Sequence, residues 1–231
     1  MDNLPQATIE PDWCDHAPMS LENRWYRLVA SQLAHPRGVL GKVTANRLNE
    51  GNRPMVASAI EAAGLGPGQV AADVGFGGGV GLPLLLSAVG PTGRVHGYEI
   101  SRSMIASARR AYATDVSAGR LLVEQGELAD LPVPDGTFDA VITANTVYFV
   151  DDLGQAFVEL HRVLRSGGRL VVAIADPAAM EAMPFVEHGF RVRPVAELLR
   201  LMQAAGFVSA QDRQLQLGGP LRQLLIASRP D

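Results

Sequence analysis

Val70–Gly81 reads VAADVGFGGGVG, an apolar run that reaches the acidic residue Asp73 and then passes into five glycines. An apolar-periodic segment begins directly after the last glycine. This order predicts a buried strand, a tight turn without Cβ atoms and a helix whose first turn faces the space above the turn. Side chains at these glycines would keep a ligand off the backbone, so the run predicts close approach of a bound molecule. The alternative is a turn that only permits tight packing of the helix on the sheet.

The spacing of these glycines argues against the commonest ligand of such a turn. Dinucleotides are held on G-x-G-x-x-G, and here the position that should carry the third glycine is Val80, Leu82 or Leu84. The pattern present is D-x-G-x-G-x-G, with the Asp73 carboxylate just before the first glycine. A carboxylate at this place suits a cationic ligand better than a pyrophosphate.

Composition and charge limit the class of protein. The 231 residues are 47% hydrophobic and 19% charged, which fits one globular α/β domain. A net charge of −4 argues against a nucleic-acid surface. The single cysteine, Cys14, excludes an internal disulfide and a multi-cysteine metal site. No signal peptide or membrane-spanning run is recognised, so we expect a cytoplasmic protein without membrane partners.

Apolar runs alternate with helical patterns from Val70 onward, which predicts a mainly parallel, doubly wound α/β sheet with right-handed crossovers. Ligands bind such sheets beyond the carboxyl ends of the strands. The tail predicts an antiparallel hairpin around Gly218-Gly219-Pro220. The expected strands are 70–75, 94–99, 121–124, 138–144 and 169–175, and the expected helices are 79–89, 102–117, 152–164 and 195–205.

Helices are also expected before the first strand. One is opened by Ser20, and another begins near Pro54 and is stopped by Gly64. Their apolar stripes cannot be buried alone. We therefore expect an N-terminal helical cap, residues 1–66, packed over the domain formed by residues 67–231.

Several motifs together resemble the class I S-adenosylmethionine (SAM)-dependent methyltransferases, in particular small-molecule enzymes of the UbiE type. The D-x-G-x-G-x-G stretch resembles the first motif of that family, Leu131–Asp139 (LPVPDGTFD) its "LPFPDxSFD" run, and Phe157–Gly168 its "EIxRVLKPGG" run. The resemblance covers the chain from about Val70 to the C-terminus. It implies a seven-stranded Rossmann-like sheet and SAM as the cofactor, a ligand with an ammonium, a sulfonium and no phosphate.

The resemblance also implies which residues hold the cofactor. Glu99, at the end of the second strand, would accept hydrogen bonds from both ribose hydroxyls, the alternative being a solvated glutamate. Ile100 and Met104 are candidates for the adenine face, and a core position is the alternative for Met104. Glu127, in place of the usual aspartate, would take the adenine amino group. Asn145 would contact the methionine end. The remaining candidates of this set are Asp73, Gly75, Phe76, Gly77, Gly126 and Leu128.

Methyl transfer from a sulfonium is an in-line displacement, in which positioning does most of the work. A general base is needed only for a protonated acceptor, and Tyr148 and His16 are the candidate catalytic residues for orienting or deprotonating it. Tyr148 packed under helix 152–164 is the alternative for that residue. His35 and His188 are further candidates, and each histidine has a structural alternative. No residues have metal-ligand spacing.

The function that the resemblance implies is methyl transfer from SAM to a small-molecule acceptor, without nucleic-acid partners. The N-terminal cap and the irregular segment 176–193 would shape the acceptor pocket. Asn46, Asn49 and Asn52 are expected to reach the carboxylate of the cofactor. Two alternatives stay open: a nicotinamide-dependent oxidoreductase on a similar sheet, and a protein that binds SAM without transferring its methyl group.

Overall fold

The computed structural model describes residues 38–184, 186–187 and 189–231, with side chains described from residue 51 onward. The helix expected to open at Ser20 and the candidate histidines His16, His35 and His188 lie outside the described residues. The predictions made for them stay predictions.

Helices and strands alternate along the described chain as the apolar pattern predicts. The helices are α1 (Gly38–Ala63), α2 (Gly81–Val89), α3 (Arg102–Ala111), α4 (Ala113–Ser117), α5 (Leu153–Val163), α6 (Pro177–Glu181) and α7 (Val195–Ala204). The strands are β1 (Val70–Val74), β2 (Arg94–Glu99), β3 (Leu121–Gln125), β4 (Phe138–Ala144), β5 (Leu164–Ala175), β6 (Val208–Leu215) and β7 (Arg222–Ser228). A 3₁₀ turn, Val147–Phe149, follows β4.

The strands form one seven-stranded sheet in the order β3-β2-β1-β4-β5-β7-β6. Strands β1 to β5 are parallel, whereas β7 runs antiparallel to both β5 and β6. The predicted Rossmann-like sheet with a C-terminal antiparallel hairpin is therefore confirmed. The strand order reverses between β1 and β4, so a ligand site is expected above their carboxyl ends.

Apolar side chains cover both faces of the sheet, which explains why the strands read as continuous apolar runs. In β1, Ala72 and Val74 pack into one core together with Phe157 of α5. Ala71 points to the opposite face and packs into a second core, which includes Met55 of α1. The sheet is thus a middle layer between two helical layers.

Helix α1 corrects the prediction that a helix begins near Pro54. It starts at Gly38 and carries Pro54 inside it. Proline is favoured in the first turn of a helix because an N–H at that position has no partner within the helix. That preference predicted the wrong start for this helix. The described part of the predicted cap packs against α2 and strands β4, β5 and β7. A domain boundary near residue 66 stays a prediction.

Two further elements differ from the sequence-based expectation. Strand β5 begins at Leu164 rather than at 169, because Leu164 already pairs with Phe138 and a register shift follows before Arg169 pairs with Ala140. The predicted helix 102–117 divides into α3 and α4 at Tyr112. The Tyr112 hydroxyl donates a hydrogen bond to the carbonyl of Gly79, at 3.2 Å, and so links the helix break to the glycine turn.

Among the helices with described residues, none has the length and apolar character that a bilayer span requires.

Candidate functional site: a cavity above the glycine turn

The glycines after β1 have two different roles. Gly75, Gly77 and Gly79 all have positive φ, at 76°, 53° and 80°, where a side chain would be strained. A Cβ at Gly75 would collide with the side chain of Thr146. A Cβ at Gly77 would meet nothing within 4 Å. Gly75 therefore serves tight packing, whereas Gly77 leaves open space above the turn, so that close approach of a ligand stays a prediction for Gly77.

A cavity of about 740 Å³ lies above the carboxyl ends of β1, β2, β4 and β5, within the size range of cofactor sites. Ten of the residues predicted to bind the cofactor line it, and so does Tyr148; Met104 does not. The set comprises Asp73, Gly75, Phe76, Gly77, Glu99, Ile100, Gly126, Glu127, Leu128 and Asn145. Asn52 of α1 also lines the cavity, whereas the side chains of Asn46 and Asn49 lie outside the described part.

Asp73 is a buried carboxylate without a hydrogen bond to any described residue. Its side chain lines the cavity although the residue is only 4% exposed. Burial and, secondarily, the negative charge of Glu99 raise the pKa of Asp73 to about 7. A Cβ at Gly81 would collide with the Asp73 carboxylate, so the glycine at the start of α2 makes room for it. An unpartnered acid at this place fits a cationic ligand group.

Glu99 joins the turn after β1 to the start of α3. Its Oε2 accepts a hydrogen bond from the backbone N–H of Gly77, at 2.9 Å, and its Oε1 accepts one from the N–H of Ser101, at 3.0 Å. A carboxylate has about four lone-pair sites, so each oxygen can accept a further bond from a ligand hydroxyl. Glu99 is 7% exposed, which argues against the solvated alternative.

The predicted adenine side of the cavity contains one exposed apolar side chain. Ile100 lines the cavity and is 39% exposed, as expected of a residue that an aromatic ligand would cover. Gly126 permits close packing, because a Cβ there would lie 2.9 Å from Cδ1 of Tyr98. Met104 does not line the described cavity and packs in the core, which favours its alternative. The backbone of Glu127 forms an antiparallel bridge with that of Asp130. Glu127 is exposed to solvent.

An ion pair on α5 fixes the loop that carries this adenine side. Oε1 of Glu159 accepts a hydrogen bond from the N–H of Leu131, at 2.8 Å. Arg162 donates to both oxygens of Glu159, at 2.7 Å each, and to the carbonyls of Leu131 and Val133. These bonds lower the pKa of Glu159. Sequence reasoning treated this helix as scaffold and missed the link between its i, i+3 pair and the LPVPD run.

Asn145 joins the ends of two strands at the centre of the cavity. Its Oδ1 accepts a hydrogen bond from the N–H of Ala175, at 3.2 Å, and its own N–H donates to the carbonyl of Ala173, at 2.8 Å. Its φ of 57° is unusual for a residue other than glycine. Strained backbone of this kind is concentrated at functional sites. The next residue, Thr146, is the one that contacts Gly75.

Beyond Asn145 the cavity becomes apolar. Phe149 and Phe190 have ring centroids 4.7 Å apart, and Tyr148 packs 6.0 Å from Phe190. The Tyr148 hydroxyl donates a hydrogen bond to the carbonyl of Ala175, at 3.1 Å. Burial raises the pKa of this tyrosine well above its usual range. A hydroxyl held in this way is a poor general base. The geometry therefore favours packing and orientation of the acceptor as the role of Tyr148.

Three further residues line this half of the cavity, and sequence reasoning missed one of them, Arg222. Met180 follows β5 on α6, Met183 is in the segment after it, and Arg222 begins β7. Both methionines belong to the segment 176–193, which was expected to be irregular and to shape the pocket; residues Pro177–Glu181 of it form α6 instead. Arg222 gave no signal because its strand reads as half of a hairpin. Among the described side chains, no cluster could hold a metal ion.

Comparisons with known proteins agree with this geometry. Residues 72–172 match the family model described as "Methyltransferase domain". The chain is 28% identical to the ubiquinone/menaquinone biosynthesis C-methyltransferase UbiE of Saccharophagus degradans, over 74% of this chain and 79% of that protein. It is 32% identical to the demethylmenaquinone methyltransferase of Symbiobacterium thermophilum, over 54% of this chain and 49% of that protein.

A solved structure has the same fold. The SAM-dependent methyltransferase from Aquifex aeolicus superposes with a TM-score of 0.67 at 22% identity, over 81% of this chain and 97% of that one. The chain spans about half or less of the length of the curated relatives that are 32 to 41% identical to it. Residues 72–172, which include most of β1, strands β2 to β4 and most of β5, are similar to the methyltransferase domain of class I SAM-dependent methyltransferases.

Proposed function

We propose that this chain transfers a methyl group from SAM to a small, largely apolar acceptor. The observation that carries the proposal is one continuous cavity with two halves. The polar half contains the Asp73 carboxylate, the open Gly77 turn and Glu99, whereas the apolar half is walled by Phe149 and Phe190. A ligand bound in the first half would present its reactive end to the second.

The residues of the polar half fit SAM. When bound, SAM supplies a methyl group on a sulfonium, and the electron pair of the broken carbon–sulfur bond stays on the sulfur. Asp73 would bind a positive charge of the cofactor, and its burial makes that attraction strong. Glu99 would hold the ribose hydroxyls, Ile100 and the loop at Gly126 would enclose the adenine, and Asn145 would lie beside the methionine end.

The contribution of the protein to the reaction is positioning and exclusion of water. Asn145 and Thr146 lie where the two halves meet, and the bonds of Asn145 to β5 hold that junction rigid. Tyr148 lines the cavity, and its hydroxyl already donates a hydrogen bond to the carbonyl of Ala175. A nucleophile held in line with the methyl group in an apolar pocket needs little further help.

The nature of the acceptor half supports a small apolar substrate. Its described walls include the aromatic rings of Phe149 and Phe190 and the thioether of Met180, and the carboxylates of Asp151 and Asp152 lie at its edge before α5. Two relatives carry names that refer to quinone biosynthesis, which agrees with a ring-shaped apolar acceptor. For this chain we therefore propose hydroquinones, phenols and thiols as the first acceptors to test.

The direct test is transfer of a tritiated methyl group from SAM to a panel of hydroquinones, phenols, thiols and amines. We expect label to enter at least one member of the panel, and we expect Asn145→Ala to reduce that rate at least about tenfold. Asn145→Gly, which relieves the positive φ but also removes the amide, should behave like Asn145→Ala. Binding of SAM without any labelled product would favour the alternative of a protein that binds SAM without methylating.

A further inference from the structure

The described lining of the cavity contains one positive charge to which the proposed SAM contacts give no role. Arg222 is the one cationic side chain among the described residues that line it. The described acids of the lining are Asp73, Glu99 and Glu127 on the cofactor half and Asp151 and Asp152 at the start of α5. None of these acids forms a described ion pair with Arg222.

Sheet geometry places Arg222 at the end of the cavity formed by β5 and β7. It pairs with Ala175 across β5 and β7, and Ala175 is the residue that receives the Tyr148 hydroxyl. In the strand order, β7 is three steps from β1, which corresponds to about 14 Å between their backbones. The turn at Gly77 and the Asp73 carboxylate belong to the β1 end. Arg222 thus lies at the β5–β7 end of the cavity, and its side chain reaches toward α1.

The Arg222 guanidinium is only partly engaged within the described structure. Its Nη2 donates to the carbonyl of Gly51 in α1, at 3.2 Å, and no described carboxylate forms an ion pair with it. A guanidinium has five N–H donors in a planar fork that matches a carboxylate. By contrast, Asp151 is paired with Arg191, at 2.8 Å, and Asp152 caps α5 through the N–H of Gln155.

We propose that Arg222 binds an anionic group on the methyl acceptor, so that the acceptor is an apolar ring with an acidic substituent. This inference rests on the proposed function and specifies the substrate of the same site. An anionic substituent of the acceptor would accept hydrogen bonds from the N–H groups of the Arg222 guanidinium that make no described bond. The apolar ring that carries it would pack between Phe149, Met180 and Phe190. The carboxylate of SAM is a second source of the same chemistry, and the test separates the two.

The experiment compares an apolar acid with its neutral isostere. The full chain is saturated with S-adenosylhomocysteine, the demethylated product of SAM, and titrated with 2-naphthoate or 2-naphthamide. We expect naphthoate to bind at least about tenfold more tightly than naphthamide. Arg222→Gln should bring the two within about twofold, and Arg222→Lys should keep only part of the preference, because an ammonium retains the charge but lacks the planar fork. Arg213→Gln, on the exposed strand β6 of the same hairpin, is the matched control and should change nothing.

Several results would overturn the inference. Equal binding of the two compounds, or no binding of either at about 1 mM, contradicts it. So does a variant Arg222→Gln that weakens S-adenosylhomocysteine and keeps the preference for naphthoate, because the guanidinium would then bind the cofactor carboxylate. If folded protein fails to bind S-adenosylhomocysteine, the proposed function fails with it. If that ligand binds and the naphthoate preference is absent, only the role of Arg222 is lost.

Discussion

The Glu99 carboxylate accepts a hydrogen bond from the backbone N–H of Gly77, with 2.9 Å between Oε2 and the nitrogen. The bond joins the end of β2 to the glycine turn after β1, two places that are 22 residues apart in the chain. The other carboxylate oxygen of Glu99, Oε1, accepts a hydrogen bond from the N–H of Ser101 at the start of α3. The carboxylate predicted to bind the ribose therefore also fixes the geometry of the turn that the cofactor would lie against.

Glu99→Ala is expected to weaken SAM binding at least about tenfold, roughly 1.4 kcal/mol. The substitution removes the acceptor for the ribose hydroxyls and the acceptor of the bonds from the N–H groups of Gly77 and Ser101. Isothermal titration calorimetry measures the loss. Glu124→Ala, on β3 outside the described cavity lining, is the matched control. Equal SAM affinity in folded Glu99→Ala and wild type would refute the ribose assignment.

Gly77→Ala separates the effect of open space from that of backbone strain. Alanine at a φ of 53° costs about 1–2 kcal/mol of stability, and its methyl group enters the space above the turn. Gly119→Ala is a matched control, since Gly119 has a φ of 68°, open space where a Cβ would lie and no place in the described cavity lining. Both variants should lose similar unfolding free energy in urea. Only Gly77→Ala should also weaken SAM binding. An equal loss of SAM affinity in Gly77→Ala and Gly119→Ala would contradict the prediction that the ligand lies against the turn at Gly77.

The pKa of Asp73 predicts a pH dependence for cofactor binding. With this pKa near 7, the carboxyl is mostly protonated at pH 6 and mostly charged at pH 7.5. A cationic ligand prefers the charged form, so SAM affinity should rise by up to about tenfold over this interval. Asp73→Asn should bind SAM more weakly and show a flat profile. A profile that stays unchanged in Asp73→Asn would assign the titration to another group.

The same carboxyl predicts the opposite trend for stability without ligand. Its folded pKa is raised from 3.8 to about 7, so the native state binds more protons than the unfolded state in this window. The free energy of unfolding should therefore fall as the pH rises from about 4 to 7, by at most about 1.4 kcal/mol per pH unit. Urea denaturation at several pH values would show a smaller fall for Asp73→Asn than for wild type.

Arg162→Ala is expected to cost about 3 kcal/mol of unfolding free energy, because it leaves the Glu159 carboxylate without its ion-pair partner. The loop at Leu131 and Val133 would lose its tether as well, so the affinity for SAM should also fall. Arg200→Ala on α7, for which no ion pair is described, is the comparison. A stability loss without any change in SAM affinity would restrict the pair to a structural role.

Local signals explain which parts of the site the sequence could predict. Asp73, Gly75 and Gly77 follow one another in the chain, and Glu99 ends the next strand, so strand ends and glycine turns were sufficient to place them in one cavity. The two roles of the glycines needed coordinates, because the collision partner of Gly75 is Thr146, which follows β4.

Contacts between distant segments account for what was missed. Arg222 reaches the cavity only because β7 inserts beside β5, and the pairing partner of a strand cannot be read from its own residues. Pro54 carries the signal of a helix start, yet α1 continues through it and packs on the sheet. Tertiary packing overrode a local preference there.

The most direct test of the central claim, that the bare backbone after Asp73 holds SAM, is calorimetric titration of the purified chain with SAM. We predict one molecule bound per chain with a Kd below about 100 µM. Folded protein that gives no binding signal with SAM or S-adenosylhomocysteine at millimolar concentration would contradict the account.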